Sequence, residues 1–182
     1  MEEKSNSIWK AGLTYGAILG LITIIYTILL YVMDQSFNKT LGYVNSLFII
    51  VMVYYGAKSY RDNYLNGYIT YGRALGISMI IVLVSGVIGT IYFFIHTNII
   101  DTEYLTKSLQ YAEEELIKKG TMSDDQIEMA ISMQKKMMTP AIMALIGLVG
   151  SAFWGFIISL VTSIFVKKQG DPYQEAMQDI EE

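Results

Sequence analysis

His96 is the only histidine in a chain of 182 residues that has no cysteine. Disulfides, thiol catalysis and thiolate metal sites are therefore excluded, and a single imidazole cannot form a histidine metal cluster within one chain. An ordinary histidine titrates near about pH 6.5 and can serve as a pH sensor. Beside Thr97 and Asn98, at the end of an apolar run, His96 reads instead as a marker of a membrane–water boundary. The carboxylates Glu113, Glu114, Glu115, Asp124, Asp125 and Glu128 lie close together in sequence. A calcium loop needs oxygen ligands alternating around a glycine; that spacing is missing, so these acids read as a solvated face. No G-x-x-x-x-G-K pattern occurs to cradle nucleotide phosphate, and no nucleophile–base pair stands out. The expectation is a non-enzymatic protein with no cofactor and no metal.

Two other patterns carry recognition chemistry. The segment Arg61 to Arg73 holds both arginines of the chain, together with Tyr64, Tyr68 and Tyr71. Read as a helix, it places the three tyrosines on one face, suited to the headgroup level of a bilayer. Arg61 and Arg73 would then hold lipid phosphate or a partner, or simply follow the bias of basic residues toward the cytoplasm. The second pattern is one of small residues: Gly12, Gly16 and Gly20, then Gly147, Ser151, Gly155 and Ser159, each four apart. Small residues let helix backbones approach closely where lipid supplies little hydrophobic drive. The two rows could pack the first and last apolar segments on each other, or one row could face outward toward a second copy or an envelope protein.

These residues need elements to position them, and the charge pattern defines those elements. Only 16% of the chain is charged, against about a quarter in soluble domains. No Asp, Glu, Lys or Arg occurs in residues 11–33, 40–57, 74–100 or 137–166. About 20 apolar residues of helix cross the roughly 30 Å hydrocarbon core, so the expected fold is an all-α integral membrane protein with a four-transmembrane-helix bundle. The spans are expected at about 8–33, 41–57, 74–95 and 141–166, within a single membrane domain of residues 1–168 followed by an acidic tail, 169–182. The charged start at Met1 to Lys10 precedes an apolar run longer than a signal-peptide core, without a small-x-small cleavage site, and reads as an uncleaved anchor.

Residues 97–139 form an extramembrane helical hairpin between spans three and four. Leu105, Leu109, Ala112 and Leu116 give helical spacing to its first arm, and Gly120 ends it in the manner of a C′ glycine. Ser123 with Gln126 is a capping-box pattern for the second arm, where Met129, Met133, Met137 and Met138 offer an adaptable apolar surface. Thr139 and Pro140 read as N-cap and first residue of span four. Past Lys168, Asp171, Pro172 and Gln174 could cap a short surface helix.

Lys4, Lys10, Lys58, Arg61, Arg73, Lys167 and Lys168 flank the spans on the side of the termini, whereas the hairpin lysines are outnumbered by acids. Basic residues favour the cytoplasmic side, so both termini are expected in the cytoplasm of an inner membrane, with residues 97–139 periplasmic or extracellular. The net charge of −4, with no basic stripe, excludes nucleic acid as a partner; membrane lipid is the expected contact. No ionisable residue lies deep in a span, which argues against an ion-coupled pump. A narrow polar path along Asn45, Ser78, Ser85 and Thr162 keeps open a second reading, an oligomeric channel or carrier for a neutral or small solute. Trp154, mid-span, reads as a packing knob.

Several of these segments together carry a family resemblance: Lys10-Ala-Gly12-Leu-Thr-Tyr15-Gly16 with Gly20, Tyr60-Arg61-Asp62 leading to Asn66-Gly67-x-Ile69-x-Tyr71-Gly72, Ile100-Asp101-x-Glu103-Tyr104, and Gly155 to Ser159 leading to Lys167-Lys168. The chain resembles the family called domain of unknown function 4199, small four-pass membrane proteins found mainly in Bacteroidota. It departs from the pattern at Tyr68, where a second glycine is expected. The resemblance implies an inner-membrane location and carries over no catalytic or binding residue.

Overall fold

The computed structural model describes residues 2–169, so the expected tail helix around Asp171 lies outside the described residues. Six α-helices follow one another: α1 (Glu2–Val32), α2 (Lys39–Tyr64), α3 (Tyr71–Ile95), α4 (Tyr104–Lys119), α5 (Asp124–Met137) and α6 (Pro140–Val166). Four stretches, Ser7–Val32, Lys39–Tyr64, Tyr71–Ile100 and Pro140–Val166, are long and apolar enough to cross a membrane. The fold is all-α, a four-helix membrane bundle with α4 and α5 as the hairpin between its third and fourth spans.

Local chemistry sets most helix ends. The Asn38 side-chain oxygen accepts from the amides of Thr40 (3.0 Å) and Leu41 (3.3 Å), capping α2. Gln126 accepts from the Ser123 amide at 3.0 Å as half of a complete capping box on α5. Thr139 accepts from the Ile142 amide at 3.3 Å, with Pro140 in the first turn of α6. Gly120 closes α4 at φ 61°, a left-handed conformation that costs glycine nothing.

The helix ends depart from expectation in two places. The second span does not stop at Ala57, because α2 runs on to Tyr64 and turns only at Asn66 (φ 51°) and Gly67 (φ 85°). Lys58, Arg61 and Asp62 end the apolar stretch but are compatible with helix, so loss of apolarity and loss of helix fall at different residues. The connection shrinks to residues 65–70. Tyr64, Tyr68 and Tyr71 consequently share no helical face: Tyr64 ends α2, Tyr68 lies in the turn and Tyr71 opens α3. The third span does not stop with α3 at Ile95 but continues as a π-helical turn, His96–Ile100, closed by the Asp101 amide donating to the His96 carbonyl at 2.8 Å.

The central helix is α3, with α1 and α6 packed on it and α2 touching all three. A Cβ added at Gly12 would come within 2.3 Å of Ile80, at Gly16 within 2.6 Å of Val84, and at Gly20 within 2.9 Å of Ile88. Ile80, Val84 and Ile88 are themselves four residues apart, so a β-branched ridge of α3 lies along the glycine groove of the parallel α1. At Gly155 on α6, an added Cβ would stand 2.0 Å from Val82. The glycine rows of the first and last spans thus both face α3 rather than each other; α3 carries the bulky ridges that fill a glycine groove, whereas two facing grooves would leave a void. Trp154 is not a packing knob within the chain, being 64% exposed on the outward face of α6.

Candidate functional site

The bundle has two unlike halves. Toward the termini, Val53, Ala57, Tyr60, Ala74, Ile77 and Val166 are buried in one cluster. A clasp closes this end. The Arg61 guanidinium donates to the Val166 carbonyl at 3.1 Å, and the Tyr71 hydroxyl donates to the Leu160 carbonyl at 3.2 Å. Ile69 and Lys168 exchange two backbone hydrogen bonds, 2.8 and 3.1 Å long, in an antiparallel bridge. Carbonyls in the last turn of a helix lack intrahelical partners, and Arg61 satisfies one of them with a charge that complements the helix dipole.

Toward the hairpin the helices leave a cavity of about 460 Å³, lined by α1, α2, α3, α6 and Tyr104 of α4. Small residues create the space: an added Cβ at Gly89 or Gly147 would meet nothing within 4 Å. At one end His96 is held in an aromatic cage. Its ring centroid lies 5.1 Å from that of Tyr31, 5.4 Å from Tyr104 and 5.5 Å from Tyr92. The first two rings meet it edge-on, and the Tyr92 hydroxyl lies 3.2 Å from Nδ1. His96 is 2% exposed, and its Nε2 has no hydrogen-bond partner. It is therefore no interfacial marker open to water: the π turn carries it into the cage. Inserted π turns are frequent at functional sites because they re-aim side chains out of the helical register.

The hairpin is docked over this end. Phe37, in the α1–α2 connection, lies 5.2 Å from Tyr104 and 5.7 Å from Tyr111 between ring centroids. Lys39 pairs with Glu115, and its ammonium stands 5.8 Å from the Tyr111 ring. Asp101 is buried, accepts from Lys107 at 3.0 Å and from the Glu103 amide at 3.2 Å, and so fixes the start of α4. Its hydrogen bond holds the Lys107 ammonium up from its ordinary range. Burial, with the Asp101 charge second, pushes the Tyr104 phenol up, so the ring over His96 stays neutral.

A family model matches residues 14–168, most of the chain. The protein belongs to the family described as protein of unknown function (DUF4199). No curated protein and no solved structure matches it. In this DUF4199 chain the resemblance segments fall in both halves: the central Arg61–Gly72 stretch builds the clasp, and Asp101 and Tyr104 build the hairpin base over the cavity.

The sequence-singled residues divide the same way. Arg61 serves the clasp and pairs with Asp62 at 2.7 Å, Tyr64 lies 5.7 Å from the Tyr60 ring, and Tyr68 carries the Lys168 ammonium 5.5 Å from its ring. Arg73 is exposed at the start of α3. Gly12, Gly16, Gly20 and Gly155 line helix contacts, Ser151 sits 2.8 Å from where Gly86 would carry a Cβ, and Gly147 and Ser151 border the cavity. Ser159 is buried with an unpartnered hydroxyl. Of the supposed polar path, Asn45 and Ser85 line the cavity, while Ser78 and Thr162 are buried away from it. The residues that sequence reasoning missed are Tyr31, Tyr92 and Tyr104 around His96. The four-residue spacing of Tyr92 and His96 was a visible signal; the other two rings arrive from separate helices.

Proposed function

We propose that this chain is a non-enzymatic component of the inner membrane, with both termini cytoplasmic, that acts by contact with lipid and with an envelope protein through its hairpin. The observation that carries this reading is the state of the hairpin. It is braced on the bundle by Phe37 and Lys39, yet it leaves Met129, Met133 and Met137, four residues apart on α5, exposed outside the spans. Methionine's flexible, polarisable side chain adapts to partner surfaces, and a braced helix offers it at little ordering cost. The glycine row of α1 fits a role in packing within the chain. Against catalysis, the hydroxyl that His96 meets is the Tyr92 phenol, while the Thr23, Thr90 and Ser151 hydroxyls around the cavity donate to carbonyls of their own helices.

The test is crosslinking in the native host followed by gentle-detergent purification of the tagged full-length chain. A partner lost when Met129, Met133 and Met137 are all replaced by Ser supports the reading; retention of every partner by that variant sinks it. Orientation is checked with single cysteines in a chain that has none: Cys at Ser123 should react from outside and Cys at Gln169 only after permeabilisation.

The cavity favours a second reading, an oligomeric channel or carrier for a neutral or small solute. Flux of neutral solutes across reconstituted vesicles, absent in empty vesicles, would move the assignment there. The packed terminal half weighs against a continuous path through one copy.

A further inference from the structure

We infer that the cavity in the hairpin half holds an acyl chain of a membrane phospholipid, which enters sideways from the leaflet on the hairpin side. The inference rests on the four apolar spans and not on the hairpin's partner. Leu19, Ile24, Ile49, Val82, Phe93 and Met143 give the cavity an apolar wall, and no Asp, Glu, Lys or Arg belongs to its lining. A phosphate, carboxylate or ammonium placed inside would be buried without a counter-charge. The volume of about 460 Å³ lies within the range of about 300–1,000 Å³ typical of small-molecule sites.

The polar groups of the lining do not call for a polar occupant. The Thr23, Thr27, Thr90 and Ser151 hydroxyls each donate to a carbonyl of their own helix. Nε2 of His96 and Oδ1 of Asn45 have no partner, but both atoms are sealed behind the wall with essentially no accessible surface. The Tyr92 phenol meets Nδ1 of His96. That leaves the Ser85 hydroxyl on α3 and the Asn45 NH2 on α2 as the spare donors of the lining. A buried water makes about three hydrogen bonds, so two donors fall short of what a water cluster filling this space requires. Hydrocarbon requires none.

The dimensions and the opening fit a lipid chain. Leu19 to Thr27 on α1 and Met143 to Ser151 on α6 line the cavity over about 12 Å at the rise of an α-helix, against roughly 15 Å of hydrocarbon in one leaflet. Toward mid-bilayer the bundle closes at the buried Leu19 and where Val82 faces Gly155. At the other end Tyr104 of the docked hairpin covers His96, so no headgroup sits above the cavity. The side is open. Gly147 belongs to the lining and is exposed, an added Cβ there would meet nothing within 4 Å, and Ile146 beside it is also exposed. A chain that bends in at Gly147 leaves its headgroup in the leaflet, at the flank of the bundle.

The test uses the full chain in phosphatidylcholine nanodiscs doped with a phosphatidylcholine that carries a diazirine near the end of one acyl chain, with attachment sites mapped by mass spectrometry. The third span supplies its own control, because Ser85 and Gly89 line the cavity while Leu83 and Val87 are exposed on the outward face of the same helix. Both faces should be labelled. Gly147→Phe, which puts a ring in the opening, should abolish labelling at Ser85 and Gly89 and leave Leu83 and Val87 as before. Gly89→Leu, which fills the cavity from α3, should do the same and keeps the test decisive if the first variant does not fold. Labelling confined to Leu83 and Val87 in the unaltered chain would overturn the inference, as would inward labelling that survives both substitutions. A second measurement asks whether water fills the space instead. In Ser85→Cys, the single thiol should resist a charged, membrane-impermeant methanethiosulfonate added to both sides of reconstituted vesicles made permeable to it. Rapid reaction there would overturn hydrocarbon occupancy and favour a solute path.

Discussion

The terminal and hairpin halves of the same four helices solve packing in opposite ways. In the terminal half, glycines meet β-branched ridges at separations that leave no room for a methyl group, and Arg61, Tyr71 and Ile69 tie the α2–α3 connection to the end of α6. In the hairpin half Gly20 still meets Ile88 and Gly86 meets Ser151, but Gly89 and Gly147 face open space, and side chains from five helices surround a cavity. Glycine therefore has no single meaning here: it brings backbones together where a ridge faces it and opens volume where none does. The contrast separates a closely packed, hydrogen-bonded end of the bundle from an end that encloses a cavity.

The sharpest way to break this contrast is to substitute the two kinds of glycine on the same helix. Gly155→Leu drives a side chain into Val82 and should cost about 3 kcal/mol, the upper part of the usual overpacking range, read as a lower thermal midpoint in detergent. Gly147→Leu should change stability by no more than about 0.5 kcal/mol, as at an unconstrained surface site. Equal losses would remove the distinction between the halves.

Arg61→Ala removes the donor to the Val166 carbonyl and should cost about 2 kcal/mol, as expected for a charged hydrogen bond. Hydrogen exchange should rise in the last turn of α6 and leave α4 unchanged. A rise confined to the hairpin would mean that the clasp is not where the terminal half is secured.

Phe37→Ala is the complementary test. Loss of the Tyr104 and Tyr111 ring contacts should cost about 1 kcal/mol, with faster exchange in α4 and no change in α3 around Ile77 and Ile81. Faster exchange throughout would show that the halves unfold as one unit.

The smallest effect is electrostatic. The hydrogen bond from Lys39 holds the Glu115 carboxyl below its ordinary range. A carboxyl depressed in the folded state stabilises docking fully above its unfolded pKa, and that contribution disappears as pH falls through the lowered folded value. Lys39 is exposed and Glu115 half-buried at the surface, where solvent screens the pair, so the change should be slight. Spin labels on cysteines introduced at Thr40 and Glu114 should move apart only in acid; separation near neutral pH would contradict this ion pair as a tether.

The sequence by itself determined the number of spans, the hairpin and most caps, because these depend on local chemistry. Charge-free stretches dictate burial in hydrocarbon, and Ser123 with Gln126, Thr139 with Pro140 and Gly120 satisfy or release backbone groups within a turn. It misplaced the end of α2, since apolarity stops at Ala57 while helix continues to Tyr64. The four-residue glycine rows were visible, but their partner was not: a groove specifies that something bulky approaches, and only the assembled bundle decided that α3 supplies it. The same holds for His96. Its place in sequence fits an exposed boundary equally well, and a single inserted turn together with rings from α1, α3 and α4 is what buried it. Contacts between residues far apart in the chain leave no periodic trace along it, so the cavity and its unpaired nitrogen exist only in the tertiary structure.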